Sequence, residues 1–310
     1  MTVVIAGYSG LVGSALTTVF QKAGHEVVGI NRSVLDLLDL TSTVKFMKEV
    51  KPTLVIDAAA KVGGIGANNS LPVEFLTENL RIQSNLMEAA HASRVENFIF
   101  LGSSCIYPRD CAQPIKEEYL MTGPLETTNS AYAIAKIAGI ELINSYRKEY
   151  GARWISLMPT NLYGPHDNFD LQTSHVLPAL IRRFIEAAES GVSNVRLWGS
   201  GSPKREFLHV DDLAQAVLLA SEKYDSSMHL NIGTGEDLTI MELAQKVAIS
   251  AGFDGEIEWD KTKPNGTPQK TLDVSKIKAL GWIPTITLDE GIKSVIAWYK
   301  ESSAKGEVRK

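Results

Sequence analysis

The sequence predicts an α/β fold: a doubly wound parallel sheet joined to a smaller, partly discontinuous α/β lobe. Three observations carry this. Short β-branched apolar runs alternate with helix-period segments through the first half of the 310-residue chain. A glycine-rich turn, Gly7-Tyr8-Ser9-Gly10-Leu11-Val12-Gly13, joins the first such strand to the first helix. After Gly164 the alternation gives way to irregular stretches rich in Gly, Pro and Asn, such as GSGSPKREF and DKTKPNGTPQK. Strands that read as unbroken apolar runs belong to a sheet covered by helices on both faces.

The elements follow in order. Thr2–Ala6 is a strand, Leu11–Ala23 has helical apolar spacing, and Glu26–Ile30 is a second strand. Thr41–Val50 is helical, Leu54–Ala58 is a third strand, and a long amphipathic helix runs over about Val73–Ala92. The strand Phe98–Leu101, a helix over about Ala131–Tyr150 and the strand Trp154–Met158 complete a Rossmann-type domain over residues 1–163. Parts of 205–231 are expected to return to it. Residues 164–310 form mainly the second lobe, with helices at about Val176–Ser190, Asp212–Lys223, Ile240–Ala251 and Leu288–Tyr299; the terminal SSAKGEVRK is expected to fray. Sheets of this kind take ligands beyond the carboxyl ends of their strands, where the unusual residues cluster here.

Composition narrows the function classes. A net charge of −5 with no basic run of five or more residues argues against nucleic-acid binding. No apolar stretch approaches the roughly 18 residues that span a bilayer, and MTVVIAGYSG lacks the layout of a signal peptide. Two cysteines, Cys105 and Cys111, fit a reducing compartment rather than a disulfide scaffold, so the expected setting is cytoplasmic.

The glycine turn, placed after the first strand of an alternating chain, reads as a dinucleotide site. Glycine there permits a positive φ and close approach to a pyrophosphate, which the helix N-terminus then receives. The second strand ends in Asn31-Arg32-Ser33 with no carboxylate to hold a ribose 2′-hydroxyl, which favours NADP(H) over NAD. Further along, SAYAIAK sets Tyr132 and Lys136 four apart on one helix face. A Tyr-x-x-x-Lys pair recurs by chance. With the glycine turn upstream and Ser103 at the end of the intervening strand it becomes specific: the serine holds a carbonyl oxygen, Tyr132 protonates it with its pKa lowered by a neighbouring ammonium, and Lys136 anchors the cofactor ribose.

The glycine turn, Ser103, Tyr132 and Lys136, PTNLYGP (Pro159–Pro165) and REFLHVDDLA (Arg205–Ala214) resemble an extended short-chain dehydrogenase/reductase acting on nucleotide sugars. LGSSCIYP, AAAKVGGIGANN (Ala58–Asn69), SHVLPALIRRF (Ser174–Phe184), WGSGSPKREFLHVDD and KPNGTPQKTLDV resemble the GDP-L-fucose synthase family within it. That resemblance implies conversion of GDP-4-keto-6-deoxy-D-mannose to GDP-L-fucose, by epimerisation at C3 and C5 and NADPH-dependent reduction at C4. It assigns proton transfer to Cys105 and His175. A thiol of pKa about 8.5 moves toward neutrality beside positive charge, and imidazole already titrates there. It extends cofactor contact from Gly7–Gly13, Asn31 and Arg32 to Leu101, Gly102, Ser103, Lys136, Pro159, Thr160, Asn161, Leu162 and His175. Grip on the GDP-sugar falls to Arg183, Trp198, Arg205 and Asp273, and no metal is implied. Family members usually dimerise through two long helices forming a four-helix bundle, here Val73–Ala92 and Ala131–Tyr150. One departure stands out: family members often carry arginine at the third position of the glycine turn, where this chain has Ser9.

On residues alone, Cys105 could be an inert buried side chain; its company of Ser103 and His175 argues otherwise. Cys111 is read as structural or exposed, and His25, His91 and His229 as solvated. His166 and His209 are read as structural hydrogen-bonders. Rival enzymes share the scaffold. A 4-epimerase needs no Cys/His pair, and a 4,6-dehydratase shows an Asp-Glu pair near Ser104 where this chain has Cys105-Ile106. A GDP-L-colitose synthase, which epimerises only C5, is not separated by sequence. A non-catalytic dinucleotide-binding scaffold would have no use for Ser103, Tyr132 and Lys136.

Overall fold

Apolar runs of four or five residues are too short to bury a helix face but suffice for a central strand. In the computed structural model, which describes residues 1–263 and 265–309, those runs pair side by side. Pro264, inside the KPNGTPQK stretch, and Lys310 lie outside the described residues. The elements are Thr2–Ala6 (β1), Leu11–Lys22 (α1), Glu26–Ile30 (β2), Leu40–Val50 (α2), Leu54–Asp57 (β3), Ile65–Ser70 (α3), Pro72–Ala92 (α4) and Asn97–Leu101 (β4). Ser130–Tyr150 (α5), Ile155–Pro159 (β5), Asn161–Tyr163 (β6), Val176–Ser190 (α6), Asn194–Trp198 (β7), Lys204–Arg205 (β8), Phe207–His209 (β9) and Val210–Lys223 (α7) follow. Leu230–Ile232 (β10), Leu238–Thr239 (β11), Ile240–Ala251 (α8), Glu256–Asp260 (β12), Gln269–Lys270 (β13), Ser275–Ala279 (α9) and Leu288–Ala304 (α10) close the chain.

A six-stranded parallel sheet has the order β10-β5-β4-β3-β1-β2. From β1 the chain steps to β2 on one side and then crosses to β3 on the other. Right-handed crossovers therefore put α1 on the opposite face from α4 and α5, and the reversal opens a crevice beyond the carboxyl ends of β1 and β3. Val3, Val4 and Ile5 are fully buried at its centre, as both-sided cover requires.

Two apolar cores divide the chain. The first gathers β1 to β5 and their helices with Leu208–Ala220, Leu230 and Ile232, and also Leu272, Val274, Ile277 and Trp282. The second joins Tyr163 and Phe169 to α6, β7, Phe207, α8 and α10. The return of 272–282 to the first core is absent from the sequence reading, because an irregular segment carries no periodicity to place it. The short strands β6 to β9 and β11 to β13 outside the main sheet were equally invisible, at two to five residues each, as was the edge strand β10. Nor does the C-terminus fray as expected: α10 continues to Ala304, Ser302 is buried, and Arg309 O accepts from Phe169 N at 2.9 Å.

Glu206 stitches the two cores together. Its fully buried carboxylate accepts from Gly235 N and Leu272 N, both at 2.8 Å, and its carbonyl accepts from Asn161 Nδ2 at 2.8 Å and Thr160 Oγ1 at 3.3 Å. A buried carboxylate persists only when donors surround it in this way.

Candidate active site

The glycine turn fits a dinucleotide. Gly7 has φ +80°, and a Cβ there would lie 2.7 Å from Ala58 O; at Gly13 it would lie 2.1 Å from Gly7 O. A side chain at either position would collide with that backbone, so the turn keeps its close approach only with glycine. Gly10 caps α1 without a side-chain hydrogen bond, so the first amides of the helix remain free for phosphate. Tyr8 packs its ring over Gly29, and Leu11 and Val12 are half-buried behind the turn. Asn31 shapes the end of β2: its Oδ1 accepts from Ser33 N at 3.1 Å and Val34 N at 3.2 Å, and its Nδ2 donates to Ser9 Oγ at 3.4 Å. Arg32 stands beside it with 83% of its side chain exposed, 3.3 Å from Glu78. An exposed ion pair of this kind is worth about 0–1 kcal/mol, so Arg32 is readily released to a phosphate. Arg32→Ala is expected to raise the KM for NADPH at least about tenfold with little change for NADH; initial rates with both coenzymes check this, and equal effects would show that Arg32 does not read the 2′-phosphate.

Beyond β4 the chain enters a 3-10 turn, Ser104–Ile106, and Ser103 Oγ caps it by accepting from Cys105 N at 3.2 Å. Gly102 N is held by Leu157 O at 2.9 Å, and Leu101 O receives Lys136 Nζ at 2.8 Å. Lys136 is 3% exposed and lies 4.7 Å over the Phe100 ring and 5.9 Å from the Tyr132 ring centroid. Burial pushes its pKa down, opposed by Asp57. Tyr132 differs from expectation. Burial, reinforced by Cys105 and Asp57, pushes its hydroxyl well up, against a hydrogen bond to Ser103. The lysine ammonium lies over the Phe100 face and gives one of its three N–H donors to Leu101 O, which leaves the others for a ligand. A phenol held protonated is nevertheless the form that delivers a proton to a ketone oxygen. Pro159, Thr160, Asn161 and Leu162 lie at the carboxyl end of β5 and in β6, where Leu162 pairs with Leu208; the Thr160 and Asn161 side chains are committed to Glu206.

The Cys105 sulfur is neither packed among aliphatic groups nor free. Asn129 Nδ2 lies 3.3 Å from Sγ and Lys270 Nζ 3.6 Å, from elements 24 and 165 residues away. His175 caps α6 from a loop tied to the first domain by Gly64 N donating to Thr173 O at 2.8 Å. Protein around its ring, with Lys270 second, holds the imidazole below its usual range. His175 is solvent-exposed, and Tyr132 and Arg205 keep some solvent-reachable surface, yet protein around each of them shifts its pKa by desolvation. Asn129, Lys270 and Asp57 were missed in the sequence. The first two sit beside or inside stretches already singled out, SAYAIAK and KPNGTPQK, but an amide before a helix and a lysine in an irregular run read as solvated.

Arg205 takes part in the cleft. Burial depresses its pKa, opposed by Cys105 and Glu126, and among the described residues it has no carboxylate in ion-pair contact. Arg183 is half-buried on α6 and unpaired, whereas its neighbour Arg182 is bound to Glu186. Trp198, 66% exposed, carries Lys263 Nζ 5.4 Å over its ring. Asp273 stands apart. Its carboxylate accepts from Ser275 N at 2.9 Å and lines a charged cavity of about 280 Å³ with Lys116, Glu117, Glu118 and Lys276. None of the groups around Cys105 is among its partners. His229 also departs from expectation: it is buried at 2%, 2.9 Å from Tyr107 Oη, and burial lowers its pKa to about 4. His209 is a structural hydrogen-bonder, accepting from Asp211 N at 3.3 Å to cap α7.

A glycine cradle at a sheet reversal, with serine, tyrosine and buried lysine beyond the next strand, is the site of a dinucleotide-dependent oxidoreductase acting on a carbonyl. Residues 3–233 match the model of the NAD dependent epimerase/dehydratase family. The chain is 50% identical to GDP-L-fucose synthase 1 of Arabidopsis thaliana, covering 95% of this chain and 92% of that one, and 48% identical to GDP-L-fucose synthase of Escherichia coli K12, covering 97% of each. Identity to GDP-L-colitose synthase of Yersinia pseudotuberculosis is 35%, over 96% and 98% of the two chains. A crystal structure of a GDP-L-fucose synthetase from Naegleria fowleri bound to NADP superposes with a TM-score of 0.91 at 29% identity, covering 100% and 96%. The chain belongs to the NAD dependent epimerase/dehydratase family and, within it, to the GDP-L-fucose synthases.

Proposed function

We infer that the protein converts GDP-4-keto-6-deoxy-D-mannose to GDP-L-fucose, inverting C3 and C5 before reducing the C4 ketone with NADPH. The observation that carries this reading is the setting of Cys105: its sulfur lies 3.6 Å from Lys270, whose charge also reaches His175, and it follows Ser103 by two residues. One cleft thus holds a thiol and an imidazole beside donors suited to a carbonyl oxygen.

The C4 carbonyl acidifies the hydrogens on C3 and C5. Cys105 and His175 exchange those protons on opposite faces of the ring, and the Ser103 and Tyr132 hydroxyls hold the enolate oxygen at C4 between removal and return. When bound, NADPH supplies the hydride that C4 accepts. Tyr132 then gives its proton to the C4 oxygen, while Lys136 holds the ribose. Arg183 and Arg205, which have no carboxylate in ion-pair contact among the described residues, offer their guanidinium groups to the pyrophosphate, and Trp198 offers a face to the base. The higher identity to GDP-L-fucose synthases than to the colitose enzyme favours inversion at both carbons.

The protein acts as a homodimer in the cytoplasm. Exposed Leu71 and Val73 at the start of α4 and Ile134 and Tyr150 on α5 support pairing through a four-helix bundle. No helix among the described residues is long and apolar enough to cross a membrane, and the two cysteines are free.

Product analysis by NMR after turnover in D₂O tests the reaction. Deuterium at C3 and C5 with the L-galacto configuration is the expected result. Label at C5 alone would assign a single inversion, and none at either carbon a simple ketone reductase.

A further inference from the structure

The buried carboxylate of Asp57 has no part in the reaction as derived above. Asp57 ends β3 and is 1% exposed. One oxygen accepts from Ala59 N at 3.2 Å; the other has no hydrogen-bond partner. A buried carboxylate left half-satisfied is costly, and an apolar residue would serve the sheet better. Its surroundings suggest what the charge is for. In the parallel register Asp57 is level with Phe100 of β4, so the two side chains leave the sheet on the same face. The Phe100 ring lies directly beneath Lys136 Nζ. Asp57 therefore lies one strand over from Phe100, on the sheet face that α5, the helix carrying Lys136 and Tyr132, also covers.

We propose that Asp57 is a positioning residue of the reduction step: its buried charge, on the sheet face that α4 and α5 share, keeps Lys136 and Tyr132 both protonated for proton delivery to the ketone. This rests on the reductase half of the reading above.

The electrostatics have one sign. A negative charge favours the protonated form of an ammonium and of a phenol alike. Burial favours the proton on Tyr132 but weakens its hold on Lys136, and Asp57 opposes that weakening. Cys105 acts on Tyr132 in the same direction and ahead of Asp57, but among the described residues only Asp57 opposes the weakening at Lys136. Ala6, level with Asp57 on β1, and Phe100 on β4 are apolar. The buried polar groups of α4, Asn79 and Gln83, are neutral amides, and Lys61 is tied to Glu74 and Glu78. Burial and Lys136 act in opposite directions on Asp57 itself, leaving it at about 6, so it is ionised at neutral and alkaline pH, where Lys136 needs it.

The test is the pH profile of ketone reduction in Asp57→Asn, followed by NADPH oxidation from neutral to alkaline pH. Removing the charge lowers the pKa of both protonated groups, so the alkaline fall in kcat is expected to begin about one pH unit lower than in wild type. Solvent deuterium uptake at C3 and C5 and the Kd for NADPH are expected to stay at wild-type values. Asp57→Glu should restore much of the alkaline limb. A profile superimposable on wild type would overturn the proposal. So would weakened NADPH binding with an unmoved limb, which would make Asp57 a cofactor contact. Should Asp57→Asn not fold, Asp57→Ser removes the same charge and is read the same way. If wild type reduces the ketone but exchanges no deuterium, the epimerase reading fails while the comparison of alkaline limbs still decides the role of Asp57.

Discussion

Cys105→Ser is expected to lose solvent exchange at C3 and C5 by at least about 100-fold, the scale of a missing proton-transfer group. It should still oxidise NADPH when offered a 4-keto sugar that needs no inversion. The reason is the difference between the two atoms in one setting. A serine hydroxyl holds its proton far more tightly than a thiol, and a donor 3.3 Å away in Asn129 and an ammonium 3.6 Å away in Lys270 do not bridge that gap. The substitution keeps the side chain's shape, so Ser103 remains free to cap the 3-10 turn through the backbone amide of residue 105. Deuterium incorporation followed by NMR, with reduction measured separately, checks both halves. Exchange at the wild-type rate would return Cys105 to the inert cysteines.

Tyr132→Phe is expected to do the reverse. NADPH oxidation should fall by about 10²–10⁴-fold, because the proton destined for the C4 oxygen has lost its donor. Deuterium should still enter C3 or C5, with Ser103 left to hold the enolate oxygen. Crowding by protein, together with Cys105 and Asp57, keeps the Tyr132 hydroxyl protonated in the native enzyme, so the substitution removes an acid that is already loaded. Lys136 cannot step in while its ammonium is anchored on Leu101 O and over Phe100. Single-turnover absorbance at the nicotinamide band, paired with label uptake, separates the outcomes. Equal loss of both activities would mean that Tyr132 is needed to hold the enolate as well as to protonate the alcohol.

These two variants rest on residues that could be named before any coordinates. Five of the six main strands, the glycine turn and the Ser103–Tyr132–Lys136 set were legible because each depends on local order; the edge strand β10, three residues long, was not. Apolar period marks strands and helices, a positive φ demands glycine at position 7, and a spacing of four puts tyrosine and lysine on one helix face. Helix ends moved by a residue or two: the sequence reading began helices at Thr41, Val73 and Asp212, and they begin at Leu40, Pro72 and Val210. The second lobe was harder. Its strands are short and its loops long, and β13 pairs with β8 across 65 residues of chain, a contact with no local signature.

The sequence by itself determined the class of fold, the place of the dinucleotide and the kinds of side chain available for proton and hydride chemistry. Only the tertiary structure decided which charges face those side chains. It brought Lys270 to Cys105 from the far end of the chain, put the charge of Asp57 within reach of Lys136, drew His229 into the core and left Asp273 with Ser275 and Lys276. The physical reason is that a residue's identity fixes what it can donate or accept. Its desolvation and the fields acting on it are set by neighbours that folding, not chain order, supplies.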